Sequence, residues 1–307
     1  MAEYTQGWIK RPAAAVIDIS GEDSADFLQS QFSADLRMSE GQFKEGLWLN
    51  HRARIEGESC ILKLAPERFL LVSRSTPAGT LMAKLDRHII SEEVELSDLT
   101  SASGLILVYG SRSHLTELGL GISEATQEDV SVYQESCYIL PFLNAAQPSV
   151  MIFGALDALS AMYSKVEASA FSKWNEAEYK RFRMEKGVCE IPLEVGPEET
   201  PAEVGLSGLC SLQKGCYLGQ EVVNRQARLE RASKKLVRLR LSAPAEDAKP
   251  SASPRLPIYL DEQGVGDLRG STEEAPFRGL AMLKTKALEG DLRLGSVAGM
   301  EIEVIDD

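Results

Sequence analysis

The sequence has few of the residues that bind metals or form structural disulfides. Its three histidines, at positions 51, 88 and 114, are far apart, and its five cysteines include no Cys-x-x-Cys pair. Cys210 and Cys216 are separated by five residues, which matches no common zinc-binding pattern. An odd, scattered set of cysteines is typical of reduced thiols rather than of a disulfide framework. We therefore expect no metal site, and we expect a cytoplasmic location.

Long apolar segments and several common catalytic motifs are absent as well. No apolar run is long enough to span a bilayer and the first residues do not resemble a secretory leader, so we expect no membrane partner. The chain has no Gly-x-x-x-x-Gly-Lys phosphate loop and no Gly-x-Ser-x-Gly nucleophile motif. Residues 264–270 resemble a dinucleotide fingerprint only superficially, because the third glycine comes one place late and no helix is expected after it. Ser–His–Asp hydrolysis therefore has no support, and stand-alone metal or redox chemistry has little.

Positive charge is scarce overall but concentrated in one region. The formal net charge is -13, which argues against uniform coating of nucleic acid. Residues 207–240 nevertheless contain eight cations and two carboxylates, a local charge of +6. Such a basic region suggests an anionic ligand or partner, although a solvated helix face and strand edge would give the same pattern. We expect direct nucleic-acid binding to be weak if it occurs.

The most unusual segment begins that region. Residues 214–221 read Lys-Gly-Cys-Tyr-Leu-Gly-Gln-Glu, and Arg225 follows. The two glycines allow sharp turns on both sides of Cys216 and Tyr217. The residues after Gly219 are compatible with a helix. This pattern predicts a shaped loop before a helix N-terminus, where unpaired backbone N–H groups face a ligand.

The distribution of apolar residues predicts an α+β fold of two or more domains. Short strands are expected near residues 12–20, 47–50, 58–64 and 68–73, with helices at 23–35 and 78–88. A second group of strands follows at 104–109, 137–143 and 149–153, with helices at 155–163 and 172–185. From about residue 232, short strands separated by glycine turns predict a small β-barrel. We therefore predict two α+β subdomains over residues 1–231, divided near residue 100 and with the second crossing back near 170–190, and a C-terminal β-barrel over 232–307.

The segment at 214–221 with Arg225 resembles the signature of the folate-binding YgfZ proteins. These are relatives of the glycine-cleavage T-protein, an aminomethyltransferase, and of a mitochondrial factor for iron–sulfur protein maturation. Residues 27–35, 49–54 and 183–187 with 191–192 resemble further family motifs. The resemblance implies a T-protein-like ring of two α+β subdomains and a β-barrel around a folate-sized channel. It also implies tetrahydrofolate as cofactor, and iron–sulfur enzymes or their assembly machinery as partners, some of these enzymes modifying tRNA.

The resemblance also suggests which residues form the site. Cys216 is the candidate catalytic thiol, with Lys214 beside it to favour the thiolate. Glu185 can accept from pterin N–H groups, and arginines can pair with the carboxylate tail. The full set of candidate folate-binding residues is Arg54, Arg183, Glu185, Lys214, Tyr217, Gln220, Glu221 and Arg225, with Arg228 as a further partner for the tail. Other interpretations stay open: Cys216 as a buried packing residue, Glu185 in an ion pair on its own helix, and Arg54 as a surface cation.

Two departures from the family pattern bear on activity. The T-protein uses an aspartate pair where this chain has Ile55-Glu56-Gly57-Glu58, so aminomethyl transfer is in doubt. Ala53 replaces a glycine of the preceding turn, and it would be strained if that position needs a positive φ. We therefore expect a tetrahydrofolate-binding accessory protein for iron–sulfur protein maturation or repair and for tRNA modification. The alternatives are a folate-dependent one-carbon transferase or demethylase, and a non-catalytic scaffold that binds protein or RNA.

Overall fold

The computed structural model describes residues 6–120, 131–133, 137–141, 147–229, 232–245, 255–296 and 298–305. The strands within these residues are β1 (Gly7–Pro12), β2 (Ala15–Ser20), β3 (Phe43–Leu49), β4 (Ile55–Ala65), β5 (Arg68–Ser73), β6 (Glu95–Asp98), β7 (Ser103–Tyr109), β8 (Ser131–Tyr133), β9 (Cys137–Pro141), β10 (Ser149–Ala155), β11 (Ser172–Lys173), β12 (Lys234–Leu241), β13 (Pro257–Leu260), β14 (Gln263–Ser271), β15 (Arg278–Lys284), β16 (Leu292–Leu294) and β17 (Met300–Ile305). The helices are α1 (Ser24–Gln31), α2 (Ala78–Asp86), α3 (Arg112–Glu117), α4 (Ala158–Glu167), α5 (Glu176–Lys186) and α6 (Gln220–Leu229).

Two largely antiparallel sheets form the N-terminal two thirds of the chain. One has the order β3-β4-β5-β2-β6, and the other has the order β11-β1-β7-β10-β9-β8. The pairing of β1 with β11 is parallel, and the other pairings in these sheets are antiparallel. A shared apolar core contains residues from both sheets, including Val16, Phe43, Leu105 and Phe153, so the sheets pack face to face. Helices α1 and α2 cover the outer face of the first sheet, and α3 and α4 cover that of the second.

The C-terminal strands close into a barrel in the order β12-β15-β14-β13-β16-β17. Buried and exposed residues alternate along β12, where Val237, Leu239 and Leu241 face the barrel core. This alternation follows from the period of two of a strand with one buried face. The predicted α+β class with a C-terminal β-barrel is confirmed. The domain division at residues 231 and 232 stays a prediction, and residues 230–231 lie outside the described part.

Helix α2 ends at Asp86 rather than at residue 88, and α4 spans Ala158–Glu167 rather than residues 155–163. Helices α1 and α5 also differ from their predicted bounds, each for a local reason. Helix α1 ends at Gln31 rather than at residue 35, because Phe32 is extended and forms a β-bridge with Trp48. Helix α5 begins at Glu176 rather than at residue 172, because Ser172 and Lys173 pair with β1. Its start is fixed by a capping box between Asn175 and Glu178.

Residues 187–219 connect α5 to α6 with little regular structure, and yet much of this segment is buried. Ile191, Val195 and Leu206 pack with Leu47 of β3 and with Met282 of the barrel. The segment therefore lies between the first sheet and the barrel and contacts both. Among the described helices, no helix is long and apolar enough to cross a membrane.

Candidate functional site

A cavity of about 960 Å³ lies where the two sheets, the 187–219 segment and the barrel meet. Its lining combines charged side chains with prolines, alanines and a leucine. The lining residues are Arg11, Pro12, Ala13, Ala14, Arg74, Ser75, Glu176, Glu190, Pro192, Leu193, Gly196, Pro197, Glu198, Glu199, Arg255, Pro257 and Asp267. The volume is within the range of pockets that hold a cofactor-sized ligand.

One wall of the cavity is built from interlocked arginine–carboxylate pairs. Arg11 pairs with Glu190, and Arg183 binds Glu194 through both terminal nitrogens, at Nη1–Oε2 2.9 Å and Nη2–Oε1 3.2 Å. The Tyr179 ring lies against both guanidinium groups, with Cζ-to-centroid distances of 5.1 Å for Arg11 and 5.5 Å for Arg183. Burial alone would lower the pKa of Arg183, but the charges of Glu194 and Glu190 outweigh it and raise the pKa. Arg183 therefore stays charged. Its ion pair with Glu194 supports the wall, although Arg183 itself does not line the cavity.

This placement changes the predicted role of Arg183 and Glu185. The guanidinium of Arg183 is buried on Glu194 and is not part of the cavity lining. Glu185 is half-buried near the end of α5, and its backbone carbonyl accepts a hydrogen bond from Arg238. Its side chain does not line the cavity either. Glu190, three residues after the Gly187 that ends α5, is one of the carboxylates that do.

The floor of the cavity holds Arg74, which lies between two buried carboxylates. Its Nη2 is 3.4 Å from Glu45 Oε1, and its Nε is 3.8 Å from Glu58 Oε2. Glu58 Oε1 also accepts hydrogen bonds from the Ser73 hydroxyl at 2.7 Å and from the backbone N–H of Arg74 at 3.1 Å. Glu58 lies in the segment 55–58, where the resemblance places the expected aspartate pair, and its carboxylate is bound by groups of the protein itself.

Glu56, the other acidic residue of that segment, is also bound by a group of the protein itself. Glu56 Oε2 accepts from Lys84 Nζ at 2.6 Å, and the same ammonium donates to the Leu49 carbonyl at 2.7 Å. The side chain of Lys84 is buried. Neither Glu56 nor Glu58 lines the cavity.

The barrel side of the cavity carries a third group of charges. Arg269, almost fully buried, binds Glu199 Oε1 at 2.7 Å and Asp267 Oδ1 at 2.5 Å. Arg255 lies 3.8 Å from the same Asp267 oxygen. Burial raises the pKa of Asp267, and the charges of Arg269 and Arg255 oppose this rise.

The loop at 214–219 is anchored from below by Lys214. The Lys214 ammonium donates to the carbonyls of Phe32 at 2.7 Å and Ala34 at 2.8 Å, just beyond the C-terminus of α1, and lies 5.0 Å from the centroid of the Tyr217 ring. Burial lowers its pKa to about 8. The predicted role of Lys214 beside the thiol thus has no geometric support, because its ammonium is bound to main-chain carbonyls under the loop.

Tyr217 and Gln220 also belong to the anchor of the loop. Tyr217 is buried, and burial raises the pKa of its phenol. Its hydroxyl has no hydrogen-bond partner among the described residues. Gln220 Nε2 donates to the Lys214 carbonyl at 3.1 Å, which closes the loop on itself.

The remaining residues of the signature lie on the surface. Cys216 is exposed, which rules out its interpretation as a buried packing residue, and the other four cysteines are buried or half-buried. Glu221 and Arg225 are exposed on α6, a helix that buries only Val223. None of these side chains lines the cavity. The structure therefore separates the candidate residues into a surface loop and a cavity wall.

Gly219 is where the loop meets the turn that precedes β4. Its φ is 86°, and an added Cβ would lie 2.6 Å from the Asn50 carbonyl oxygen and 3.0 Å from Ala53 Cα. Ala53 itself has a φ of 55°, in the left-handed region, and is fully buried. Two neighbouring backbones are thus both held in conformations that favour glycine.

Arg54 connects this contact to the cavity. Its Nη1 donates to the Glu198 carbonyl at 2.5 Å and pairs with Glu203 Oε2 at 3.1 Å. Glu198 lines the cavity. Arg54 is therefore engaged with the wall, with 37% of its side chain exposed.

Sequence reasoning did not identify Arg11, Arg74, Glu190 and Arg255 as lining residues. Arg11 and Arg74 lie at or just beyond strand ends and have no motif around them. Glu190 lies between the matched residues 183–187 and 191–192, and is not itself part of the resemblance. Arg255 follows a stretch rich in proline, alanine and serine, which gave no indication of a site.

Comparisons with known proteins agree with this architecture. The GCVT N-terminal domain family matches residues 12–134. The crystal structure of the glycine cleavage system aminomethyltransferase T from Bartonella henselae superposes with a TM-score of 0.78 over 99% of this chain and 86% of that chain, at 17% identity. At this identity the likeness shows the fold alone, and it confirms the predicted T-protein-like arrangement.

Three relatives are similar in sequence. A chloroplastic protein of Arabidopsis thaliana, named as a candidate transferase, is 26% identical over 88% of this chain and 63% of its own length. The 4-methylaminobutanoate oxidase (formaldehyde-forming) of Paenarthrobacter nicotinovorans is 26% identical over 68% of this chain and 27% of its own length. The tRNA-modifying protein YgfZ of Colwellia psychrerythraea is 22% identical over 68% and 64%. The chain spans less than two thirds of the length of each relative. It is thus a GCVT-like protein in fold, with distant similarity to YgfZ.

The contact at Gly219 predicts a sharp difference between the two glycines of the loop. Gly219→Ala should destabilise the protein by roughly 2 kcal/mol or more, since the left-handed backbone and the clash with Asn50 and Ala53 both oppose a Cβ. Gly215→Ala is the matched control, because a Cβ there would meet no atom within 4 Å. Urea denaturation of both variants measures the difference. Equal stabilities would contradict the close backbone contact.

The buried ammonium of Lys214 predicts a pH-dependent difference from Lys214→Met. The folded pKa is about 8 against 10.5 for a free lysine, so between these values the unfolded chain binds more protons at this site. Wild-type stability should therefore rise relative to the variant by roughly 1–3 kcal/mol as the pH increases from 8 to 10.5. Denaturation curves of both proteins across this range test it, and a constant difference would mean that the amine is solvated.

Proposed function

We propose that this protein binds tetrahydrofolate in the cavity and acts as an accessory protein, rather than as an aminomethyltransferase. In this role it supports iron–sulfur protein maturation or repair and tRNA modification. The T-protein fold and the similarity to a relative named as tRNA-modifying support the proposal. Because the chain spans less than two thirds of each relative's length, the activities and partners of those relatives are only proposed for this chain.

The cavity suits the chemistry of a folate. A folate combines a flat ring with a hydrogen-bonding edge and a tail that carries carboxylates. Pro12, Ala13 and Ala14 provide a small-residue surface against which a flat ring can lie, and Glu190 and Asp267 provide carboxylate oxygens. An arginine of the same lining can pair with the tail. The residues present therefore fit this cofactor.

The observation that favours an accessory role is the state of Glu56 and Glu58. Handling of the folate amine during one-carbon transfer needs a carboxylate that is free to approach the ligand. Glu56 is bound to Lys84, and Glu58 accepts from Ser73 and from backbone N–H groups. Freeing either carboxylate would leave buried donors without a partner, at a cost of about 1–3 kcal/mol each.

A second candidate function is folate-dependent one-carbon transfer or demethylation. The name of the Paenarthrobacter relative, a formaldehyde-forming oxidase, favours it. A scaffold that binds protein or RNA is a third candidate, and it is favoured by the exposed Arg225, Arg228 and Leu229 on α6. Release of formaldehyde or of a methylated product from an amine donor would support the second candidate. RNA binding that persists at physiological salt would support the third.

Folate binding in the cavity can be tested by filling it. Gly196 lines the cavity, and the only atom near an added Cβ is the Pro192 carbonyl oxygen at 3.8 Å. Gly196→Leu should therefore weaken tetrahydrofolate binding at least tenfold, about 1.4 kcal/mol, by occupying ligand space. Gly208→Leu is the control, since Gly208 also has room for a side chain and lies outside this cavity.

Calorimetric titration under anaerobic conditions gives the affinities. Saturable binding of tetrahydrofolate at micromolar concentration is expected for wild type and for the Gly208→Leu variant. Failure of the wild type to saturate would overturn the proposed function. Equal affinities of all three proteins would place the ligand elsewhere.

The exposed thiol gives an independent prediction. Cys216→Ala should change the free energy of unfolding by less than about 0.5 kcal/mol, because the side chain is on the surface. The same variant should lower iron–sulfur enzyme activity in cells that carry it in place of the wild type. Gln213→Ala, on the same exposed loop, is the control. Normal enzyme activity in the Cys216→Ala cells would remove the thiol from the mechanism.

A further inference from the structure

Three arginines line the cavity, and two of them are already engaged by the protein. Arg11 binds Glu176 and Glu190 and lies on the Tyr179 ring. Arg74 is nearly buried between Glu45 and Glu58. Turning either guanidinium toward a ligand would leave one or two buried carboxylates without their cation, which is costly.

Arg255 differs from both. It lies two residues before β13, on the barrel side of the cavity, with 24% of its side chain exposed. Its ion pair with Asp267 is 3.8 Å long, beyond hydrogen-bond distance, and no other ion pair of Arg255 occurs in the described part of the chain. Asp267 keeps Arg269 at 2.5 Å if Arg255 turns away. A ligand carboxylate can therefore replace Asp267 as the ion-pair partner of Arg255. Asp267 then still has Arg269 as its counter-charge.

Resting on the proposed function, we propose that Arg255 binds the carboxylate tail of the folate and so selects ligands that carry it. An arginine can bind a carboxylate through two parallel N–H donors, which fixes the direction of the tail as well as adding affinity. The tail then lies at the barrel side of the cavity, and the strand end with Pro12, Ala13 and Ala14 is left for the flat ring. This assigns the role that the sequence analysis predicted for Arg183, Arg225 or Arg228 to a residue outside every motif.

The test compares two probes that differ only in the tail. Wild type, Arg255→Gln and Arg255→Lys are titrated anaerobically with tetrahydrofolate and with tetrahydropteroate, which lacks the glutamate. Arg255→Gln should bind tetrahydrofolate at least tenfold more weakly and bind tetrahydropteroate within twofold of wild type. Arg255→Lys should recover part of the loss, because it keeps the charge without the two parallel donors.

Two further variants make the outcome decisive. Arg293→Gln removes a different barrel arginine, which pairs with Glu301 and does not line the cavity, and it should bind both probes as wild type does. Arg225→Gln tests the competing assignment. The proposal is overturned if Arg255→Gln loses both probes equally or loses neither, or if Arg225→Gln alone loses tetrahydrofolate selectively.

Failure of the proposed function gives a different result. In that case the wild type itself binds neither probe, and the inference about Arg255 falls with it. Thermal unfolding of ligand-free Arg255→Gln should match the wild type, since the side chain is partly exposed and weakly paired. This measurement shows that a lost affinity comes from the missing guanidinium and not from unfolding.

Discussion

Four arginine–carboxylate pairs on one short segment hold the structure around its cavity. Glu190, Glu194, Glu199 and Glu203 lie within 14 residues of chain, and each pairs with an arginine from a different element. The partners are Arg11 of β1, Arg183 of α5, Arg269 of β14 and Arg54 before β4. Ion pairs of this kind add little net stability over apolar packing, but loss of one partner of a buried pair costs about 3–5 kcal/mol. They therefore specify where two sheets, a helix and the barrel meet.

This constraint also decides what the cavity offers a ligand. Most carboxylates near it are neutralised by the pairs that position the walls, and Glu56 and Glu58 are bound to Lys84 and Ser73. A cavity with most of its acids paired can bind and orient a ligand. Among the described lining carboxylates, the exposed Glu198 is the one without an ion pair, so the network leaves few bases that could take a proton from the amine of that ligand. The same network that builds the site thus favours binding over turnover, and it leaves Arg255 as the cation that can exchange its partner at low cost.

Local features of the fold were predictable from the sequence, and the long-range pairs were not. The capping box at Asn175 is local in sequence, but the predicted start of that helix at residue 172 missed it. The alternation along β12 depends on residues two positions apart, so the sequence pattern carries it. The loop at 214–219 was recognisable for the same reason. Arg11 and Glu190 are 179 residues apart, and no property of either neighbourhood indicates that they meet. The direction of the Lys214 side chain could not be predicted from the sequence either. It depends on the carbonyls of Phe32 and Ala34, which become available as acceptors because α1 ends at Gln31.

Contacts between backbone segments connect the surface loop at residues 214–219 to the cavity, and so connect the two parts of the candidate site. Gly219 packs on Ala53, the next residue Arg54 donates to the Glu198 carbonyl, and Glu198 lines the cavity. Packed backbones in left-handed conformations transmit displacement because they have few alternative arrangements. A ligand that shifts the 190–199 wall would therefore act on the turn under Gly219, three residues from the exposed Cys216. Under the proposed folate binding, the exposed thiol therefore does not need to touch the ligand to be connected to it, because the contacts at Gly219 and Arg54 link the loop to the cavity wall.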